Sequence, residues 1–538
     1  PFRIEAGLKY VLMQASNEGH CYLPKNILIN ETCNILGLNK DVIENNMVNL
    51  ALNQDFFITE KNNEQIVYTT KLHVAENDVA YKLVSLARTK FKEIDIDIDK
   101  EIDKVEKDEN ISFGKKQRLA ISESLKSGVS VITGGPGTGK TTTVNAIIKI
   151  FEQLDMTVLL AAPTGRAAKR MTETSGKESK TIHRLLEFAY IEDAAAFNKD
   201  EDSPIEAEVL IIDEASMIDI NLMNNLLKAV DIGTRLILVG DIDQLPSVGP
   251  GNVLKDIISS ECVNVVELDE IFRQAEESMI VVNAHKINKG EFPILNAKNK
   301  DFYFLEEKLA ENTLEVIVDL CKERLSSYYN INPINDIQVL TPMKKGKVGT
   351  KILNERLQEA LNPKDKTKEE KKLSETIFRV GDKVMQIRNN YNLEWISFED
   401  PFNLEEGKGV FNGDLGNIIS IDHDFNTLTV SFDDNKEVEY DFKELDELQL
   451  AYASTIHKSQ GSEFPVVVIP IEWGPPMLLT RNLIYTAITR ARDLVVLVGD
   501  PKYLAMMISN NMIMERYSTL CEKIKSLTNA LDLDAFTL

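Results

Sequence analysis

The stretch VSVITGGPGTGKTTTVN, residues 129–145, constrains this chain more than any other. Val129, Val131 and Ile132 predict a strand, and Val144, Ile147, Ile148 and Phe151 recur at i, i+3, i+4, i+7, which predicts a helix. Between them stands Gly134-x-x-x-x-Gly139-Lys140-Thr141. A glycine-rich turn joining strand to helix in this way presents successive backbone N–H groups and a helix N-terminus, both of which attract phosphate. Gly135, Pro136, Gly137, Thr138 and Gly139 are therefore expected to wrap the phosphates of ATP. Lys140 is expected to reach the β/γ oxygens, Thr141 to hold Mg2+, and Thr142 to lie beside it.

A chain of 538 residues with 43% hydrophobic content predicts several globular domains and no large disordered part. Its five cysteines are scattered without a C-x-x-C pair, so neither a disulfide framework nor a zinc site is indicated, and a reducing cytoplasm fits. Neither a membrane-span-length apolar run nor a basic-then-apolar leader occurs, so no membrane role is expected. The start at Pro1, not a methionine, suggests that upstream residues are missing. A net charge of −24 argues against nucleic acid as a partner, but only in part. Acidic residues concentrate at 95–110, whereas Arg166-x-x-Lys169-Arg170 and Lys344-Lys345-x-Lys347 are basic clusters. Taken alone such clusters are more often solvated faces.

Residues 1–71 show short helical patterns followed by two strands around Lys61-Asn62-Asn63-Glu64, which suggests a winged-helix-like module; a helical, acidic connector follows. Beyond it, TVLLAA (157–162), EVLIID (208–213), RLILVGD (235–241) and VNVVEL (263–268) are short apolar strands that lack period-2 alternation, as expected of parallel strands covered on both faces. The same pattern returns in DIQVLT (336–341), VVVIP (466–470) and LVVLVGD (494–500). Two α/β nucleotide-fold domains with ATP between them are implied. Short alternating strands and Gly-Asp turns at 376–446 predict an inserted small barrel.

Asp213-Glu214 closes a strand, where Asp213 suits magnesium and Glu214 suits polarising the attacking water. A solvated acidic pair is the alternative reading. Gln244, at another strand end, is placed to sense the γ-phosphate. Arg273 and Arg490 are candidate cationic fingers for the transferring phosphoryl group, although a lone arginine is more often a surface ion pair.

AAPTGRAAKR (161–170), TIHRLL (181–186), IIDEASMID (211–219), GDIDQLPSVGPG (240–251), IFRQ (271–274), STIHKSQGSEF (454–464) and YTAITRAR (485–492), with the phosphate loop, resemble the ordered motifs of superfamily 1 helicases, most of all the RecD type. The resemblance covers about 113–500, and AGLKYVLMQASNEGHCYLP near the start is similar to the long, stand-alone RecD variety of superfamily 1B. Helix-hairpin-helix repeats normally precede that module and are absent from this sequence. The fold implied is α/β: two RecA-like P-loop domains, an inserted SH3-like β-barrel and an N-terminal helical, winged-helix-like domain. The expected divisions are 1–110 for the N-terminal part and connector, 111–275 for the first RecA-like domain, 276–375 and 447–538 for the two parts of the second, and 376–446 for the SH3-like insert. Residues 187–206 would hold the place of a strand-separating hairpin, though a surface loop is equally open.

By position, the resemblance implies that Gln117 reads adenine, that Phe272 stacks on it, and that Gly461 and Glu463 join Lys140, Asp213, Glu214, Gln244, Arg273 and Arg490 around the triphosphate. Pro163, Thr164, Arg166, His183, Thr341, Thr455 and His457 would lie along single-stranded DNA, with Asn390 and Tyr391 shaping its channel. The activity implied is an ATP-dependent DNA helicase moving 5′ to 3′ on single strands and opening tailed duplexes, in DNA repair or recombination. A single-strand-binding or recombination partner is left open. An RNA helicase, or a nucleotide-switched nucleic-acid-binding protein without motor activity, are the alternatives.

Overall fold

The structure is a computed structural model, and it describes residues 2–51, 55–91, 96–191, 194–272, 275, 277–298, 300–400, 403–432, 435–512 and 515–536. The chain divides into two compact units, residues 1–272 with 514–538, and residues 273–513.

The first unit opens with α1 (Phe2–Asn17), β1 (Tyr22–Pro24), α2 (Lys25–Leu36), α3 (Lys40–Ala51), β2 (Phe56–Lys61) and β3 (Glu64–Thr69). The strands form an antiparallel sheet in the order β1–β3–β2, with Asn62 and Asn63 at positive φ in the two-residue turn between β2 and β3. Helix, strand, two helices and a hairpin in this order are the winged-helix arrangement that the sequence suggests. Next come α4 (Thr70–Ala87), α5 (Ile98–Glu109), α6 (Lys115–Lys126), β4 (Val129–Gly134), α7 (Lys140–Gln153), β5 (Val158–Ala162), α8 (Gly165–Ser175) and β6 (Ser179–Thr181). After α9 (Ile182–Leu185) a hairpin of β7 (Phe188–Ile191) and β8 (Ala194–Phe197) leaves the sheet, and β9 (Val209–Ile212), α10 (Ile220–Lys228), β10 (Arg235–Gly240), α11 (Val253–Ser260) and β11 (Asn264–Leu268) complete it.

The six strands lie in the order β11–β4–β10–β9–β5–β6, all parallel. The largely apolar runs of β4, β5, β9 and β10 follow from a core on each face. Val129, Val131, Leu210, Ile212, Leu236 and Leu238 pack into one core, while Ile132, Val209, Ile211, Ile237 and Val239 pack into the other. Because successive strand residues point to opposite faces, neither set can be polar.

Two expected divisions change. The stretch after residue 71 is not a mere connector: α4 buries Leu72, Ala75, Val79 and Leu83 in the first of these cores. Nor does 447–538 stay in one body, because the C-terminal helix Leu520–Phe536 belongs to the first unit. Its Leu520, Ile524 and Leu527 recur at i, i+4, i+7 and join the core that α4 and α11 line. Glu76 of α4, fully buried, ties the helix down: its carboxylate accepts from the Tyr68 hydroxyl (2.9 Å), the Ser518 hydroxyl (2.9 Å), the Thr519 N–H (3.2 Å) and hydroxyl (2.7 Å), and Lys523 (3.2 Å). Burial alone would raise its carboxyl, but Lys523 and the hydroxyl donors outweigh that and hold it below the usual range.

In the second unit a parallel sheet runs β12 (Phe302–Glu306), β25 (Ala491–Gly499), β24 (Phe464–Ile471), β13 (Ile337–Thr341), β23 (Ala453–Thr455). Between β13 and β23 the chain forms a small hairpin of β14 (Glu370–Leu373) and β15 (Thr376–Arg379) and then the SH3-like insert. That insert is an antiparallel sheet of β16 (Lys383–Gln386), β17 (Asn390–Asp400), β18 (Asn403–Val410), β19 (Leu415–Asp422), β20 (Thr427–Phe432), β21 (Lys436–Asp441) and β22 (Leu448–Leu450), in the order β18–β17–β21–β20–β19–β16–β22. β20 shows the strict alternation predicted for it, with Leu428, Val430 and Phe432 buried.

Asp256 on α11 supplies a pH test of the first unit. Burial first, then the charges of Glu76 and Glu522, push its carboxyl from 3.8 up to about 7, against a hydrogen bond with Ser518 and the charge of Lys61. A carboxyl raised on folding favours the folded state while protonated, so its contribution is complete below 3.8 and lost as pH rises through 7. Asp256→Asn is expected to stabilise the unit little at about pH 4 and by on the order of 2 kcal/mol at about pH 8, read by urea unfolding.

Candidate functional site

The strand order brings three loops to one edge. β4, β10 and β9 are neighbours, so the phosphate loop, the loop after Gly240 and the Asp213-Glu214 pair all leave the carboxyl ends of adjacent parallel strands. Lys140 curls back to donate to the carbonyls of Gly134 (2.6 Å) and Gly135 (2.9 Å), and the Thr138 hydroxyl donates to Gly135 O (2.9 Å). Thr141 and Thr142, in the first turn of α7, are exposed. Gly137 and Gly139 sit at φ +74° and +77°. At Gly139 the need for glycine is double, since a Cβ would lie 2.4 Å from Gln117 Nε2 and 2.9 Å from a Phe272 ring carbon.

Gln117 and Phe272 therefore line the loop at Gly139. Gln117 also donates to Gly139 O (3.2 Å) and accepts from Gly114 N (3.0 Å), and Phe272 N donates to Gly137 O (3.4 Å). On the other strand ends, Asp213 Oδ1 accepts from the Glu214 N–H (2.8 Å). Burial first, then the charge of Glu214, raises the Asp213 carboxyl, and Arg170 and Lys140 oppose the rise. Glu214 holds a left-handed backbone at φ 50° and ψ 39°, a conformation that costs a non-glycine residue about 1–2 kcal/mol. Such strain is typical of residues whose direction matters more than their comfort. Asp213 and Thr141 offer the hard oxygen donors that a magnesium ion takes, and a divalent cation would relieve the repulsion between the two carboxylates, so the donor set fits Mg2+.

Gln244 is oriented by a residue with no spacing signal of its own. Asp241, buried at the end of β10, accepts from Gln244 Nε2 (3.2 Å) and from Asp243 N (3.0 Å). Arg170 likewise earns its place near Asp213 only in the fold, because α8 follows the neighbouring strand β5.

In the second unit, Gly461 and Glu463 precede β24 and Arg490 precedes β25. The structure joins them: Arg490 Nη1 donates to Ser462 O (3.3 Å), Phe464 N donates to Arg490 O (2.8 Å), and the Arg490 side chain is 2% exposed. Gly461 has φ +70°. Arg273 lies outside the described residues.

The residues expected along a single strand divide between the units. Pro163 and Thr164 sit at the start of α8, where the Thr164 hydroxyl caps the helix by accepting from Ala167 N (3.3 Å), and Arg166 follows in its first turn. His183 packs at the root of the β7–β8 hairpin, its ring 5.8 Å from Phe188 and 5.9 Å from Phe197, which are paired in register. Burial lowers its pKa, so it is neutral there at pH 7. In the second unit His457 is exposed and Thr455 is buried beside it. Thr341 does not match its expected role: it is fully buried, and its hydroxyl donates to Val348 O (2.9 Å) instead of facing outward. Asn390 is also committed locally, donating to Glu447 (3.1 Å) and accepting from Asn392 N (3.1 Å) and Leu393 N (3.2 Å), while Tyr391 stands edge-on to Phe411 at 5.5 Å.

Comparison with known proteins bears on this arrangement. Residues 117–250 match a family described as an AAA domain, 353–432 match the ATP-dependent RecD-like DNA helicase SH3 domain, and 450–498 match the UvrD-like helicase C-terminal domain. The chain is 36% identical over 387 residues to the ATP-dependent RecD2 DNA helicase of Deinococcus radiodurans, an overlap of 70% of this chain and 49% of that protein. These matches support a RecD-type superfamily 1 helicase. A second relative, the RecBCD enzyme subunit RecD of Mycobacterium tuberculosis, is 29% identical over 72% of this chain and 69% of its own length. The chain thus spans about half the length of the first of these RecD-type relatives. The RecD-like SH3 match overlaps β16 to β20, the part of the insert whose alternating strands the sequence predicts.

Gly139→Ala tests the RecD-type phosphate loop directly. The added methyl and the positive φ should weaken ATP binding by about 10-fold or more, as 1–2 kcal/mol of backbone strain adds to the clash. Gly176→Ala, also at positive φ but with open space around it, is the control, and a fluorescent nucleotide titration reads both.

Proposed function

We propose that this chain is an ATP-dependent DNA helicase that moves 5′ to 3′ on single-stranded DNA and opens duplexes carrying a single-stranded tail. The observation that carries the proposal is the pairing, in one chain, of a complete phosphate-loop sheet with a second parallel sheet whose Arg490 is held beside the Gly461–Glu463 loop. ATP lies on the phosphate loop with its base against Gln117 and Phe272. Lys140 leaves the carbonyls of Gly134 and Gly135 for the β/γ oxygens, which offer it a full negative charge instead of two dipoles. Glu214 takes a proton from the attacking water, and Gln244 reports whether the γ-phosphate is present. Arg490 and Arg273 neutralise the transferring phosphoryl group from the far side, so that hydrolysis waits on closure of the two RecA-like domains. Mg2+ held by Thr141 and Asp213 supplies further charge neutralisation when bound.

Alternating closure and release moves the strand if each domain grips it in turn. Thr164, Arg166 and the helix N-terminus of α8 suit backbone phosphates, as does exposed His457. The β7–β8 hairpin supports a role in separating strands, with the His183, Phe188 and Phe197 rings stiffening its root. Among the described residues no helix is long and apolar enough to cross a membrane, and the five cysteines are free; both fit action in the cytoplasm.

Duplexes with a 5′ or a 3′ tail, mixed with ATP and Mg2+, test the proposal. Strand separation is expected with the 5′ tail, and Lys140→Ala is expected to abolish both unwinding and DNA-stimulated ATP hydrolysis. Unwinding only of the 3′-tailed substrate overturns the direction, and turnover retained in Lys140→Ala overturns the site.

A further inference from the structure

The loop that follows Gln244 is held by a residue from far along the chain. Its sequence, Leu245-Pro-Ser-Val-Gly-Pro-Gly251, folds so that the carbonyls of Ser247, Gly249 and Gly251 converge. Three carbonyl oxygens aimed at one point repel one another unless a cation stands there. Arg516 fills that place. Its Nη1 donates to Ser247 Oγ (3.1 Å), Gly249 O (3.0 Å) and Gly251 O (2.7 Å), and its Nη2 donates to Ser247 O (2.6 Å). None of the four bonds goes to a carboxylate, so the guanidinium here shapes backbone instead of forming an ion pair. A planar fork with fixed donor directions suits this task; a lysine ammonium, a single point of charge, does not.

The surroundings show how little freedom the clamp leaves. A Cβ on Gly19 would lie 2.4 Å from Arg516 Nε, and Gly251 N donates to Gly19 O (2.9 Å). Tyr517 N donates to His20 Nδ1 (3.1 Å), Cys21 N donates to Tyr517 O (2.8 Å), and the Tyr517 ring stacks on Tyr22 at 5.3 Å. On the opposite side of the loop, a Cβ on Gly249 would meet Asp219 Oδ2 at 2.0 Å, and Asp219 caps α10 by accepting from Leu222 N (2.8 Å). Asp219 lies five positions after Glu214. Between Gln244 and Ser247 stand buried Leu245 and half-buried Pro246, whose ring fixes φ, so a shift at Ser247 has little slack to absorb it before Gln244.

We propose that Arg516 is a positioning residue for ATP hydrolysis: by clamping Ser247–Gly251 it sets the Gln244 side chain, and it links the winged-helix-like module through Gly19 to the same loop. The inference rests on the reading of Gln244 given under Proposed function. Arg516 touches neither substrate nor reacting atoms.

Steady-state ATP hydrolysis, with and without oligo-dT, tests the clamp in the full chain, in Arg516→Ala, Gln244→Ala and the double variant. Arg516→Ala is expected to lower kcat by about 10- to 100-fold with KM for ATP within about 2-fold, the size of effect that a misplaced active group produces. Arg516→Lys is expected to recover part of the rate. In the Gln244→Ala background, with residual turnover read at high enzyme concentration, removing Arg516 should change kcat by less than about 2-fold, because both act through one group. An unchanged kcat in Arg516→Ala overturns the proposal, as does an equal loss with and without Gln244. Should Arg516→Ala fail to fold, Arg516→Lys carries the same comparison. A parent chain that hydrolyses ATP without stimulation by oligo-dT counts against the helicase reading alone, since basal turnover reads the clamp in the same way.

Discussion

A parallel sheet with an apolar core on both faces has only its strand ends left for chemistry, and the rest of this protein follows from that constraint. In the first unit the side chains of β4, β9 and β10 are consumed by packing, alternately into one core and the other. What the strands can offer is the backbone where they stop. There the N–H groups of a glycine turn, two carboxylates and an amide side chain come together without weakening either core. The adjacency of β10 to both β4 and β9 sets which loops meet.

The electrostatics of that edge are unsettled in a useful way. Asp213 is buried against Glu214, so its charge is costly, and Glu214 itself is held in a left-handed backbone. Lys140 meanwhile satisfies its ammonium on two carbonyls of its own loop. The buried Asp213 charge and the Lys140 ammonium are in arrangements that a divalent cation and a triphosphate would improve, which is how a site can be ready for a ligand while the fold around it stays stable.

Much of this was legible beforehand, for identifiable reasons. Gly134 to Thr141 could be read because phosphate binding demands backbone shapes that few residues permit, and the apolar strands because burial on two faces leaves few polar positions, among them Ser130, Thr133 and Arg235. The N-terminal winged-helix arrangement showed in Phe56-Phe57-Ile58-Thr59 and Ile66-Val67-Tyr68-Thr69 around their turn. The role of α4 did not show, since an amphipathic helix beside an acidic stretch does not say what its apolar face covers; Glu76 in particular reads as a surface acid until Lys523 is seen beside it. Asp241 and Arg516 were invisible for a related reason: their partners are backbone carbonyls or a neighbouring amide, groups that every sequence contains. Thr341 shows the converse, a position whose alignment with a family pattern suggests an outward hydroxyl that local packing turns inward.

The first unit is assembled from both ends of the chain, with residues 1–272 completed by 514–538. A ribosome making this protein therefore exposes the winged-helix-like module and the phosphate-loop sheet long before Leu520 and Ile524 exist to cover them. During that interval α4 and α11 present an uncovered apolar strip, and the whole second unit must be synthesised before it closes. Nascent chains in that state are the ones that chaperones hold and proteases sample. The phosphate-loop sheet is thus covered by residues made only after the whole second unit, so that a chain interrupted before Leu520 carries a phosphate loop on an unfinished core.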